Sequence, residues 1–352
     1  MALSKIEVPS LDVGQLGSRN IIINGDMRIN QRQLGVTSIT GNTEHMMVDR
    51  FDCFAGTGAY NAEQSTDAPS GFSYSLKATC TSVGTDDSEV WFQYKPEAQD
   101  LVHLDYGSSD AKDFTLSFWV KSTTTGQAGI YFYQGDGARA YQGRYTINSS
   151  NTWEYKSVTV PGDPSGLFNN DNGIGLEIRW YLSGKTGDSN TNVWGADTLN
   201  RSPSTWDVLS TVGNVFAITG VQLEVGEATP FEHENIGTTL QKCQRYYQKI
   251  GAVSRVSFGA AVAHTTGAVF CPVRFMTTMR TTPSQSHNGS ENFYVTGSNQ
   301  NQSVSSGQTF GTEGININGV TLSVPCSVTV GNGYWFNCKA DAVGYIAWDA
   351  EL

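Results

Sequence analysis

From Asn20 onward the chain reads as short runs of alternating apolar and polar residues, separated by clusters of Gly, Asn, Asp and Pro. In FTLSFWVK, Phe114, Leu116, Phe118 and Val120 fall on one side, with Thr115, Ser117, Trp119 and Lys121 on the other. LEIRWYL places Leu176, Ile178, Trp180 and Leu182 opposite Glu177, Arg179 and Tyr181. VWFQYK sets Val90, Phe92 and Tyr94 against Trp91, Gln93 and Lys95. A period of two is the signature of half-buried antiparallel strands, in which one face packs and the other meets solvent or ligand. The turn clusters Gly135-Asp136-Gly137, Gly162-Asp163-Pro164 and Asn169-Asn170-Asp171-Asn172-Gly173 punctuate these runs at the spacing of sandwiches and barrels.

One segment breaks the pattern. GTTLQKCQRYYQKIG spaces Leu240, Cys243, Tyr246 and Tyr247 near i, i+3 and i+6/7, with Thr238 or Thr239 as N-cap and Gly251 as the stop. It predicts a helix that divides the chain into two β regions. The expected organisation is an extended arm over 1–18, a β domain over 19–234, a connecting helix over 235–251 and a smaller β domain over 252–352. Residues 185–214 form a long polar stretch that carries Trp194 and Trp206, a length more typical of a binding loop than of a plain connection. No repeat of fixed period supports a solenoid or propeller.

Composition narrows the class. The 352 residues carry 22 Lys and Arg against 33 Asp and Glu, a formal charge of −11, and no basic run. Such a chain is a poor ligand for a phosphate backbone, so no nucleic acid is expected as partner. No apolar stretch approaches the roughly 20 residues of a membrane-spanning helix, and no membrane insertion is expected. Eight Trp, 15 Tyr and 16 Phe supply enough apolar area to exclude disorder.

The six cysteines (Cys53, Cys80, Cys243, Cys271, Cys326 and Cys338) include no CxxC pair, which argues against zinc. MALSKIEVPSLDVG lacks the apolar core of a secretory signal, so folding in a reducing cytoplasm with free, mostly buried thiols is expected. Cys326 with Cys338 is the pair most compatible with a hairpin disulfide otherwise.

Enzyme signatures are missing. There is no GxSxG, HExxH, phosphate-binding GxxxxGK or dinucleotide fingerprint, and His45, His103, His233, His264 and His287 are scattered. Asp86 and Asp87 read as turn formers, and Glu177 with Arg179 as an ion pair, so the paired carboxylates of a glycosidase are not in view. The expectation is a protein that is not an enzyme and uses no cofactor or metal.

Aromatic residues carry the stronger signal. Trp91, Trp119 and Tyr181 occupy strand positions where polar side chains are expected, and Trp194 and Trp206 lie in the long loop. Flat rings of this kind stack on sugar rings, with neighbouring polar groups binding the hydroxyls. They equally suit packing against a second sheet or a subunit interface, and the sequence leaves both readings open.

NIIINGDMRINQR (20–32), followed by VDRFD (48–52), resembles the opening of a group of phage and marine-virus fibre proteins. FAITGVQLEVGEATPFEHENIGTTLQKCQRYYQK (216–249) is similar to the same group's closing segment, as are FMTTMRTTPS and the terminal WDAEL. The resemblance implies an all-β chain: a jelly-roll sandwich like those of carbohydrate-binding modules, a short helix, then a smaller β-sandwich tip. It further implies a homotrimer on the virion surface, joined to other virion proteins through the arm and attaching to a host-surface glycan.

On that basis Trp91, Trp119, Tyr181, Trp194 and Trp206 are the expected stacking residues, with Arg179, Glu177, Asn192 and Asp197 for polar specificity. Leu240, Cys243 and Tyr247 are the expected seam between subunits. Similar modules open with N-G-x-F-E and close with D-D-V to hold a structural calcium. Here Arg28 and Thr219-Gly220 stand at those positions, leaving only Asp26 and Glu224 to compensate, so no metal is expected.

Overall fold

The computed structural model describes residues 19–85, 89–183, 192–196, 206–252, 255–297, 300–339 and 343–352. The chain divides into two units, Met1–Asn235 and Ile236–Leu352.

Among its described residues the first unit contains thirteen strands: β1 (Thr37–Ile39), β2 (His45–Val48), β3 (Phe51–Ala55), β4 (Ala59–Ser65), β5 (Ser75–Ser82), β6 (Val90–Tyr94), β7 (Phe114–Ser122), β8 (Gly126–Gln134), β9 (Arg139–Ile147), β10 (Glu154–Val160), β11 (Leu176–Tyr181), β12 (Gly195–Ala196) and β13 (Val215–Val225). They form a six-stranded sheet in the order β1-β4-β5-β13-β7-β10 and a seven-stranded sheet in the order β12-β9-β8-β11-β6-β3-β2. Every pairing is antiparallel.

One continuous core joins the two sheets. Phe114, Leu116, Phe118 and Val120 from β7 meet Val90, Phe92 and Tyr94 from β6 and Leu176, Ile178 and Trp180 from β11. The alternation in the sequence thus assigns each strand's inner face correctly. Burying each of these large side chains contributes about 2–3 kcal/mol, which locks the register, since a one-residue slip would turn all of them outward.

The N-G-D-M motif has a structural use. Ile21 donates to the Leu223 carbonyl at 2.9 Å, Val221 donates to the Gly25 carbonyl at 2.9 Å, and Asn20 Oδ1 accepts from Leu223 at 3.0 Å. Residues 20–25 are thereby laid along β13. A Cβ on Gly25 would lie 2.0 Å from the Val221 carbonyl oxygen, so only glycine permits the approach. Asp26 pairs with Arg28, and Glu224 accepts from Thr229 N at 2.8 Å and Oγ1 at 2.7 Å. The two carboxylates left for calcium are held by protein groups, and among the described residues no cluster of three His, Cys, Asp or Glu could hold a metal.

The second unit begins with the helix α1 (Ile236–Gln244) and continues through β14 (Tyr247–Gly251), β15 (Ser257–Thr265), β16 (Ala268–Arg274), β17 (Ser284–His287), β18 (Phe293–Gly297), β19 (Gln300–Ser303), β20 (Gly311–Asn316), β21 (Gly319–Pro325), β22 (Gly333–Cys338) and β23 (Tyr345–Asp349). A three-stranded sheet, β14-β23-β17, and a seven-stranded sheet, β19-β18-β22-β15-β16-β21-β20, share a core that includes Trp348, Phe336, Phe293 and Leu322.

The expected helix over 235–251 is shorter in the structure. It ends at Gln244, and Tyr247–Gly251 pairs as a strand with Tyr345–Asp349. Gln248 explains the switch: its amide donates to the Gln244 and Thr277 carbonyls at 3.0 Å each and accepts from Met276 N at 2.8 Å. Met276 and Thr277 belong to a distant segment, and these contacts outweigh the local helical spacing. Cys243 and Tyr247 are 1% and 7% exposed, so a seam of Leu240, Cys243 and Tyr247 on one helix is not present. None of the six cysteines is joined in a disulfide, Cys326 and Cys338 included. Among the described residues no helix is long and apolar enough to cross a membrane.

Candidate functional site

The outer face of the first unit's seven-stranded sheet collects most of its unusual side chains. The register sets them in rows. Asp52 on β3 lies beside Gln93 on β6, then Arg179 on β11, Tyr131 on β8 and Gln142 on β9. An adjacent row runs Phe54, Trp91, Tyr181. On the other side of Arg179 stand Glu177 and Tyr133.

The aromatic rings form a connected cluster. Phe54 stacks on Trp91 at 4.3 Å between centroids, Trp91 meets Tyr181 edge-on at 5.9 Å, and Tyr181 meets Tyr131 at 6.3 Å. Tyr133 lies parallel to Tyr131 at 6.3 Å. Arg179 spans the group, with its guanidinium carbon 4.4 Å from the Trp91 centroid and 5.6 Å from that of Tyr131. Arg179 also pairs with Glu177, which accepts from Gln93 Nε2 at 3.0 Å.

The members differ in exposure. Trp91, Tyr131 and Tyr181 are buried, at 4%, 0% and 1%, whereas Phe54, Tyr133, Glu177 and Arg179 remain half-buried. Several polar atoms on this face lack a protein partner: Trp91 Nε1, Gln93 Oε1, Asp52 Oδ1 and both amide atoms of Gln142. Each orphaned group costs about 1–3 kcal/mol relative to a satisfied one.

Charge is graded along the face. Lys95 Nζ sits 3.0 Å from Glu44 and 3.5 Å from Asp52. Burial pushes the Asp52 carboxyl up to about 7, against the opposing pull of Lys95. Burial alone would lower Lys95, but the charges of Asp52 and Glu44 outweigh it and leave the amine above its ordinary value.

The residues expected from the sequence do not all meet here. Trp91, Tyr181, Arg179 and Glu177 share this face. Trp119 belongs to the other sheet, where it faces Tyr155 at 5.8 Å and overlies Gly220. Gly220 has φ +61°, and a Cβ there would lie 2.6 Å from the Phe72 ring and 3.0 Å from Trp119. Trp206 is a core residue, 1% exposed, donating to the Thr124 carbonyl at 2.8 Å and packing on Phe216. Its indole found an inner partner that the polar loop composition concealed. Trp194 packs on Tyr106 and Tyr141 and donates to the Pro161 carbonyl at 2.7 Å, so its edge is already committed. Asn192 is exposed, with φ +60°, and donates its backbone N–H to Gln142 O at 2.9 Å. Asp197, Asp86 and Asp87 lie outside the described residues.

Five members of the face escaped the sequence reading: Phe54, Gln93 as an aimed donor, Tyr131, Tyr133 and Gln142. A signal was present in GIYFYQ, whose alternation sets Tyr131 and Tyr133 opposite Ile130 and Phe132.

No family model matches the chain, and no curated protein matches it in sequence. Solved structures that match part of the chain include the enzymatically active domain of bacteriophage CBA120 tailspike protein 4, with TM-score 0.32 and 20% identity over 59% of this chain and 22% of that one. They also include a family 22 carbohydrate-binding module of Clostridium thermocellum, with TM-score 0.29 and 11% identity over 56% of this chain and 99% of that one. A family 11 module from the same organism, in complex with a β-1,3-1,4-mixed-linked tetrasaccharide, has TM-score 0.26 and 14% identity over 57% of this chain and all of that one. The chain thus spans less than a quarter of the tailspike domain.

Proposed function

We propose that the chain is a non-enzymatic subunit of a virion fibre or spike that attaches the particle to a host-surface saccharide through the face built on β6, β8 and β11. The observation that carries this reading is an aromatic cluster set beside the half-buried Glu177–Arg179 pair on one sheet face. Tyr133 and Phe54 offer half-exposed ring surface, backed by the buried Tyr131 and Trp91. Glu177 and Arg179, both half-buried, place an acceptor and a donor beside the rings. A saccharide has both properties that this face complements, apolar ring faces and a rim of hydroxyls.

The virion assignment rests on the N-I-I-I-N-G-D-M-R-I-N-Q-R opening and the C-Q-R-Y-Y segment. In a homotrimer, three weak sites would act together through avidity. The test is binding of labelled protein to host cells with intact particles as competitor. Saturable binding that blocks adsorption, and that weakens about tenfold in Tyr133→Ala with its fold retained, supports the reading. No binding by folded protein overturns it and favours an architectural, capsid-decorating subunit. For that alternative, deletion of residues 1–18 should abolish incorporation into the virion.

A further inference from the structure

Lys95, Asp52 and Glu44 form a group whose chemistry the saccharide reading does not use. Gln93 on β6 pairs with Asp52 on β3, and Lys95 follows two residues later, so it falls diagonally beside Asp52 on the same outer face. Arg50 donates to the Lys95 carbonyl and fixes the stem of the lysine. Nζ then reaches Glu44 Oε2 at 3.0 Å and Asp52 Oδ2 at 3.5 Å.

Other pairs in the first unit, such as Lys77 with Glu63 and Lys112 with Asp105, keep both side chains in contact with solvent. The Lys95 and Asp52 side chains are only 9% and 4% exposed. Asp52 Oδ1 is buried without a hydrogen-bond partner, so this is not a buried ion pair with every lone pair satisfied. The Glu44 side chain, 47% exposed, gives the group an outlet to water. Arg179 and Glu177 on β11 also act on the pair by charge, but they are paired with each other.

We infer that Lys95 and Asp52 join spontaneously as a side-chain amide that ties β3 to β6. Burial works against both charges, lowering the amine and raising the carboxyl to about 7, while their mutual attraction opposes it. Passing one proton from Nζ to Asp52 leaves a free amine lone pair and a protonated carboxyl, the reactive forms. The lone pair attacks Asp52 Cγ, and an N–C bond forms. Glu44 takes a second proton from Nζ and delivers it to the departing hydroxyl, the C–O bond breaks, and one water leaves. The third proton stays on the amide nitrogen, and nothing is oxidised or reduced. Held in contact, such groups react with effective molarities of about 10⁵ M or more, which offsets the tendency of water to hydrolyse an amide. Since β3 lies between β6 and the edge strand β2, the bond fastens the edge of the sheet to its interior. It involves no saccharide and is independent of the proposed function.

The intact mass of the full chain, folded first and then reduced and denatured, tests it. The expected result is a chain lighter than its sequence by one water, with fragmentation placing a branched linkage between Lys95 and Asp52. Lys95→Arg and Asp52→Ala should restore the full mass. Glu44→Gln, at an exposed position, should fold as the natural chain does and form the bond about a hundredfold more slowly, followed by mass from the time of synthesis. A folded natural chain of full mass overturns the inference. So does a water deficit that persists in Lys95→Arg, or one that fragmentation assigns to a cyclised aspartate without Lys95. An unchanged rate in Glu44→Gln overturns the proton path through that carboxylate.

Discussion

The Arg179 guanidinium lies over the Trp91 ring at 4.4 Å while pairing with Glu177, two residues away on the same strand. One side chain thus covers the aromatic cluster and neutralises the carboxylate beside it. Arg179→Ala would leave Glu177 half-buried with its charge uncompensated and Trp91 uncovered. It should lower stability by about 1–3 kcal/mol and abolish measurable saccharide binding. Arg179→Lys retains charge but loses the planar fork, and should restore stability more than binding. Chemical unfolding together with cell binding separates the two effects.

Asp52 makes stability depend on pH as long as it is not joined to Lys95. Its carboxyl titrates at about 7 in the folded chain because it is buried, against 3.8 when exposed. Between these values the folded state holds a proton that the unfolded state has released. Stability should therefore fall as pH rises from about 4 to 7, by up to a few kcal/mol, and level off above that. Asp52→Asn should flatten the curve. A variant whose unfolding free energy keeps the same slope across that window would exclude Asp52 as its source.

Gly25→Ala places a methyl group against the Val221 carbonyl at an initial separation of 2.0 Å. The opening segment must then leave β13, with loss of the bonds at Ile21 and Val221. A cost of about 3 kcal/mol or more is expected, read as a lowered midpoint in urea.

The tryptophans should sort by location. Trp206→Ala empties a core site and should cost about 3–5 kcal/mol. Trp119→Ala, on the opposite sheet from the aromatic cluster, should leave saccharide affinity unchanged, whereas Tyr133→Ala should weaken it about tenfold. Equal losses from Trp119 and Tyr133 would contradict the assignment of the site to one face.

The period-two runs already contain the inner and outer faces of β6, β7 and β11. Alternation is a local property, and burial of Phe92, Leu116 and Ile178 enforces it whatever the sheet order. The sequence therefore determined that Trp91 and Tyr181 point away from the core, and that the chain is β-rich on both sides of one short helix. It could not tell which strands become neighbours, because antiparallel pairing joins residues far apart in the chain. Only that pairing placed Trp91 and Tyr181 beside Phe54 and Tyr131, sent Trp119 to the other sheet and drew Trp206 inside. Tyr247 shows the same physics on a smaller scale. Its spacing fits a helix, but ladder bonds to Tyr345–Asp349 and the Gln248 contacts exist only once the distant segment arrives, and they decide for a strand.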